Sequence, residues 1–217
     1  VLDSRGNIAL ACALSALAGY VDAIGFLHLG GLFVAFMSGN STRLGVSLAA
    51  ADWPSAAKAL GLVVLFVIGA AGGSLIVLGR GANGQPLLLL AEAALLAAAA
   101  LGYAFGLSHL AIVAIVMAMG MENAVFQIHG GAGLGLTYVT GALVKVAQSL
   151  ATALRGGARF GWLPNLLLWA ALVGGSVLGA LGYRWINLDA IWFAAGTALA
   201  LSALLATAAR RDWSARH

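Results

Sequence analysis

Charge is what this sequence has least of. Only 8% of its 217 residues are Asp, Glu, Lys or Arg, against 62% that are hydrophobic. An average soluble domain carries roughly 25% charged residues. With so few polar groups, a soluble domain of this size could not cover its surface, and the mean hydropathy of +1.01 agrees. The solvent for most of the surface is therefore lipid, which makes the bilayer the first partner implied. Cysteine is nearly absent too: Cys12 stands alone, which excludes an internal disulfide and a thiolate metal cluster. There is no His-x-x-x-His or Glu-x-x-His pair, no nucleotide loop, no Gly-x-Ser-x-Gly and no glycosidase-like carboxylate pair. The expectation is a protein that is not an enzyme and has no metal and no cofactor. A sequence pI of about 9.7 does not point to nucleic acid, because the eleven Lys and Arg lie singly or in pairs rather than along a stripe. No cleavable signal peptide is expected, since Val1 to Asn7 is polar and no convincing cleavage site follows.

What is present is a succession of apolar stretches. A membrane span needs roughly 20 such residues. Eight segments qualify as candidates: Ile8–Leu27, Leu32–Ala51, Ala56–Gly79, Leu87–Phe105, Leu110–Ile128, Leu134–Leu154, Asn165–Tyr183 and Leu188–Ala208. Their links are short and rich in Gly, Pro, Asp and Asn, and Trp53, Trp162, Tyr183, Trp185, Trp192 and Trp213 lie near segment ends as interfacial aromatics do. The fold class expected is all-α and integral to the membrane, with residues 1–217 forming a single membrane domain.

The second and sixth segments differ from the rest. In each, an apolar β-prone run meets a break, Ser38-Gly39-Asn40 in one and Thr140-Gly141 in the other, and a polar helical start follows. The expectation is one broken segment, part strand and part half-helix, in each half of the chain. Irregular backbone at membrane depth survives only under a cover of protein or in a water-filled cavity.

The halves echo one another. Gly19, Asp22 and Ala23 recur 101 residues later as Gly120, Asn123 and Ala124. Ser38-Gly39, Arg43 and Gly72-Gly73-Ser74 recur 102 residues later as Thr140-Gly141, Lys145 and Gly174-Gly175-Ser176. The near-constant offset points to a duplication, with one repeat over about residues 8–106 and the other over about 109–209. If the broken segments cross, there are eight spans and the repeats are parallel; if they dip in and return, there are six and the repeats are inverted. With a cytoplasmic N-terminus, both arrangements place seven of the basic residues outside the broken segments inside and two outside. The positive-inside rule thus supports cytoplasmic termini without choosing between them. Inverted repeats with broken helices are a known transporter plan, which favours six spans.

Ionisable groups at membrane depth are costly and invite a functional reading. The first half carries Asp22 and Arg43, the second Glu122 and Lys145. Each acid pairs with a base in its own half or in the other, either around a shared cavity or simply to lock helices together. Ser38, Asn40, Ser41 and Thr42 lie beside the first break, and Thr137, Tyr138 and Thr140 beside the second. They cap a helix start, or they join its free N–H groups in binding a small anion or polar solute. His28 and His129 precede the Gly30-Gly31 and Gly130-Gly131 pairs and read as interfacial or as a metal or pH-sensing pair. Glu92 has Ala194 as its counterpart, so it breaks the symmetry; it snorkels to the interface or takes up a proton. Gly69-x-x-x-Gly73, Gly102-x-x-x-Gly106 and Gly175-x-x-x-Gly179 allow close helix contact, inside the molecule or across a homodimer.

Several of these motifs, namely Gly19-Tyr20-Val21-Asp22-Ala23, Gly30-Gly31, Met37-Ser38-Gly39-Asn40, Gly120-Met121-Glu122-Asn123-Ala124 and Thr137-Tyr138-Val139-Thr140-Gly141, resemble those of the YoaK-like family of bacterial membrane proteins, and the resemblance runs over nearly the whole chain. It implies a polytopic protein of the bacterial inner membrane and names no substrate. Ser38 stands where that family usually has Thr, and Glu122 where it often has Gln.

These residues together lead to the expectation of a small secondary transporter or channel for a small polar or anionic solute. Its site would lie between the two breaks near the midplane and draw on Asp22, Ser38, Asn40, Arg43, Glu122, Asn123, Thr140 and Lys145. The second expectation is a non-transporting scaffold that binds lipid or a partner. An intramembrane enzyme built on Ser38 or Ser41 near His28 is the least supported.

Overall fold

The computed structural model describes residues 5–80, 84–125 and 139–214. The helices are α1 (Arg5–His28), α2 (Met37–Ala49), α3 (Trp53–Arg80), α4 (Gly84–Ala104), α5 (Ser108–Glu122), α6 (Val139–Leu154), α7 (Leu163–Ile186) and α8 (Ile191–Ser214). The stretches Gly6–His28, Trp53–Arg80, Gly84–Ala104 and Leu163–Ala208 are long and apolar enough to cross a membrane, whereas Ser108–Glu122 and Val139–Leu154 are shorter apolar helices. The two segments expected after Trp162 are α7 and α8, joined by the short turn Asn187–Ala190, which begins with Asn187 at φ 52°.

No strand occurs among the described residues. The β-prone run before Ser38 is instead turn and irregular backbone over residues 29–36. No neighbouring strand runs beside it to share its hydrogen bonds, so side chains supply them, as described below.

Small residues set the packing. Helices α1 and α7 run parallel, with Gly175 against the backbone of Ala16, Gly179 against that of Tyr20 and Gly19 against that of Leu172. Helices α3 and α5 cross in the same way, with Gly69 against Met117, Gly73 against Met121 and Gly120 against Phe66. Without a Cβ at these points the backbones touch, and dispersion between them replaces the hydrophobic drive that lipid removes. Two of the three Gly-x-x-x-Gly motifs are therefore internal contacts. The third is a turn, with Gly106 at φ 77° and open space around it.

The remaining directions follow from side-chain contacts. Gln85 at the start of α4 donates to the Val125 carbonyl just past the end of α5 at 2.7 Å, and Ser202 of α8 donates to the Pro86 carbonyl at 2.7 Å. Helix α4 is thus antiparallel to both. His28 meets Tyr103 and Tyr183 edge-on, which gathers the ends of α1, α4 and α7 at one face of the bundle, here the upper one. Helices α1, α4 and α7 rise towards that face, and α3, α5 and α8 descend from it. Helix α2 packs on α3, α6 packs on α7, and the two do not touch each other.

The outer surface is apolar, with Val67, Leu75 and Leu78 of α3, Val177 and Leu178 of α7 and Phe193 and Leu204 of α8 all exposed. Hydroxyls on the helices are absorbed by their own backbone: Ser41 donates to Met37, Thr42 to Ser38, Ser176 to Leu172 and Thr197 to Phe193. Back-bonding of this kind lets Ser and Thr lie at membrane depth.

The glycine crossings lead to a direct test. A methyl group in Gly175→Ala meets the Ala16 backbone and should lower the thermal unfolding midpoint in detergent, an overpacking cost of about 1–3 kcal/mol. Gly174→Ala, with nothing within 4 Å, should hold or raise it, because Ala is the better helix former. Equal midpoints for the two variants would refute the contact.

Candidate functional site

The break before α2 is built from α1 upward. Asp22 lies six residues before the end of α1, about 9 Å below it along the axis. Its Oδ1 accepts the N–H groups of Val34 and Ala35 at 2.8 Å each and of Phe36 at 3.4 Å. Asn40, fully buried, closes the other side: its Oδ1 accepts the Phe33 N–H at 2.9 Å and its Nδ2 donates to the Phe33 carbonyl at 2.7 Å. Together these two side chains take the hydrogen bonds of residues 33–36 that a strand partner or water would otherwise take. The carboxylate suits a row of N–H donors, and such charge-assisted bonds are roughly twice as strong as neutral ones. The amide suits Phe33 because it offers a donor and an acceptor side by side.

Arg43 donates to the Gly31 carbonyl. Asp22 and Arg43, expected to pair, are thus each tied to backbone. Gly30, Arg43, Ser47, Asp52 and Lys58 line a polar cavity of about 220 Å³ at the upper face. Asp52 accepts the Ser55 N–H at 3.2 Å at the start of α3, and its Ser55 bonds, with Lys58 adding charge, hold its carboxyl below the usual range. Chain direction follows from this cavity: the loop after α1 dips to the level of Asp22, and α2 then climbs back to where α1 ended. Ser38, Ser41, Thr42 and Arg43 lie on the exposed face of α2.

In the second half, Asn123 follows α5 and donates to the Met119 carbonyl at 2.9 Å. Thr140 and Lys145 are exposed on α6, and Gly141 is buried. Gln127, His129, Gly130, Gly131, Thr137 and Tyr138 lie outside the described residues. Glu122 does not pair with Lys145. It is 1% exposed, while Lys145 is carried outward by α6, which packs on α7 and not on α5. Glu122 instead lies near Glu92 of α4, close enough to feel its charge. Among the described residues the Glu92 carboxylate, 0% exposed, has no hydrogen-bond partner on either oxygen, and Glu122 has none on Oε1. Sequence reasoning treated these acids separately. A signal was available: both lie fifteen residues from Leu107, so a tight hairpin there brings them to similar depth.

His28 contacts the Tyr183 hydroxyl at 3.2 Å, and Ser41 is bonded within its own helix, so the structure does not join them as nucleophile and base. No group of three or more His, Cys, Asp or Glu is placed to hold a metal among the described residues.

Residues 10–204 match the family described as "Protein of unknown function (DUF1275)". The chain is also 37% identical over 213 residues to UPF0700 transmembrane protein RA0705 of Rhizobium meliloti (strain 1021), covering 98% of this chain and 92% of that protein. No solved structure matches.

The loop clamp makes Asn40 and Asp22 sensitive in different ways. Asn40→Asp replaces the donor facing the Phe33 carbonyl with an acceptor and should destabilise more than Asn40→Ala, by about 1–3 kcal/mol beyond it for the charge left unpaired. Asp22→Asn, which keeps one acceptor, should be milder than Asp22→Ala. Thermal unfolding in detergent reads both comparisons, and a reversed order in either would refute the clamp.

Proposed function

The chain belongs to the DUF1275 family, and on the geometry of its helices we propose that it is a small secondary transporter or channel for a small polar or anionic solute, built from two inverted repeats. The observation that carries the reading is helix α2. It starts at membrane depth on irregular backbone clamped by Asp22 and Asn40, and it turns Ser38, Ser41, Thr42 and Arg43 outward from the bundle. Polar surface and broken backbone at that depth are tolerated where they line a water-filled cavity.

Directions support the inverted arrangement. Counterpart helices run oppositely: α1 rises and α5 descends, α3 descends and α7 rises, α4 rises and α8 descends. The glycine crossings correspond as well. Gly19 meets α7 as Gly120 meets α3, with the contacted residue displaced by one helical turn between the two. On this reading there are six spans, and α2 and α6 are re-entrant from opposite faces. Outside those segments Arg80, Arg155 and Arg159 lie towards the lower face, where α1 also starts and α8 ends, and Lys58 and Arg184 towards the upper one, so the lower face is the cytoplasmic side of a bacterial inner membrane.

Roles within the site divide. Asp22 already satisfies the N–H groups before α2, so it holds the break rather than the solute, as does Asn40, with Asn123 as their candidate counterpart. Solute contact falls to Ser38 and Arg43 on α2 and Thr140 and Lys145 on α6, whose two cations favour an anion. The competing reading, a non-transporting scaffold, draws on the same satisfied clamp, which needs no solute to be stable.

Flux into proteoliposomes of a panel of small anions and neutral polar solutes separates the two. Arg43→Ala and Lys145→Ala should each slow an anion by about tenfold, the equivalent of about 1.4 kcal/mol. Flux equal to that of protein-free vesicles would sink transport. Topology is tested separately in a Cys12→Ala background. Cysteines at Ala50 and Arg184 should label from one side of the membrane and a cysteine at Gly156 from the other. Ala50 and Gly156 labelling together would mean that α2 crosses.

A further inference from the structure

Two carboxylic acids, Glu92 near the middle of α4 and Glu122 at the end of α5, face one another's charge inside the bundle. Both are buried, at 0% and 1% exposure, and three of their four oxygens have no hydrogen-bond partner among the described residues. No basic group is placed to neutralise them among the described residues. Helix α8, packed on α4, has no ionisable residue from Ile191 to Ala208, and α3 carries Lys58 and Arg80 only near its two ends. The turn before α8 adds Asp189 at the upper end, and His109 stands at the start of α5, thirteen residues or about 20 Å from Glu122. On α1, which touches α5, Asp22 is held by Val34, Ala35 and Phe36 and Tyr20 by the Ala190 carbonyl.

Two unpaired carboxylates cannot both stay ionised in such surroundings. An isolated buried charge costs far more than a hydrogen bond returns, and two like charges add repulsion. A pair that serves structure alone would accept hydrogen bonds from backbone or hydroxyl donors, as Asp22 accepts them from Val34, Ala35 and Phe36. Glu92 does not. A metal ion is a poorer fit than a proton, since it requires several oxygen ligands and, among the described residues, no third acid, His or Cys joins the pair.

We propose that Glu92 and Glu122 form a proton-binding pair at membrane depth, the element that couples proton movement to the solute flux inferred above, on which this assignment rests for its purpose but not for its chemistry. The step is a simple association. A proton from water adds to a carboxylate oxygen of the pair, the O–H of the resulting acid donates to an oxygen of the other, and release reverses it.

Infrared spectroscopy of the protein in lipid nanodiscs tests this without knowledge of the solute. At neutral pH the protein should show a protonated-carboxyl C=O band that shifts in deuterium oxide and is lost on alkaline titration. Glu92→Gln and Glu122→Gln, each a neutral mimic of the protonated acid that should preserve the unfolding midpoint, should each remove or displace that band, and each should release fewer protons than the parent over the same titration. No band at neutral pH, or a band indifferent to deuterium, alkali and both substitutions, would overturn the proposal. A band present in choline chloride but abolished by sodium chloride would overturn it in favour of a cation. If the band behaves as expected and no solute crosses proteoliposomes, the proton site stands and the transport reading falls. Flux without the band does the opposite: transport stands and the proton site falls.

Discussion

Backbone that leaves a helix inside a membrane must find new hydrogen-bond partners within the protein, and the rest of this structure is arranged around that requirement. Residues 33–36 have neither helix nor strand to supply them. One carboxylate and one amide, from Asp22 and Asn40, do so instead. The clamp fixes where the loop stops descending, and thereby where α2 begins. It fixes too which face of α2 is left polar and open. A charged acid at this depth is costly alone, but here it has three N–H donors around it, and each satisfies the other. The helix start, the exposed Ser38 and Arg43 and the polar cavity at the upper face all follow from this local exchange.

The glycine crossings solve the complementary problem. Lipid gives helices no hydrophobic reason to associate, so α1 with α7 and α3 with α5 are brought together by direct backbone contact at Gly19, Gly175 and Gly179 and at Gly69, Gly73 and Gly120. Close packing there leaves the outer faces free to be uniformly apolar. Helix α4 pairs with α8 and α5 instead, tied at its start by the Gln85 and Ser202 hydrogen bonds, and the two buried acids Glu92 and Glu122 lie on α4 and α5.

Much of this was legible in the sequence, and the rest was not for identifiable reasons. Hydropathy located the apolar helices, and the Ser38-Gly39 break marked the start of α2. The stretch before it reads as a strand because Leu32, Phe33, Val34 and Phe36 are β-prone, yet propensity cannot show that no second strand exists to pair with. Asp22 was picked out as an intramembrane acid, but spacing alone offered Arg43 as its partner, because backbone N–H groups carry no signature in sequence. The layout of the halves offers Glu122 a base in its own half or the other, and its burial near Glu92 joins it to neither. Glu92 has no counterpart in the second half and reads alone, as a snorkelling or proton-binding residue, whereas distance from the hairpin at Leu107, not symmetry, relates it to Glu122.

The pairing of α1 with α7 also bears on how the chain is made. Helix α1 leaves the ribosome well before its principal neighbour, α7, which begins some 135 residues after α1 ends, so at roughly 5–20 residues per second it stays without that neighbour for many seconds. The stretch around Gly19 that ends against Leu172 spends that time facing lipid, bare of the contact it was shaped for. Asp22, by contrast, needs only the next dozen or so residues to be satisfied. The clamp therefore forms early and locally, and keeps a charged group tolerable in the bilayer while the helix that carries it awaits its permanent partner.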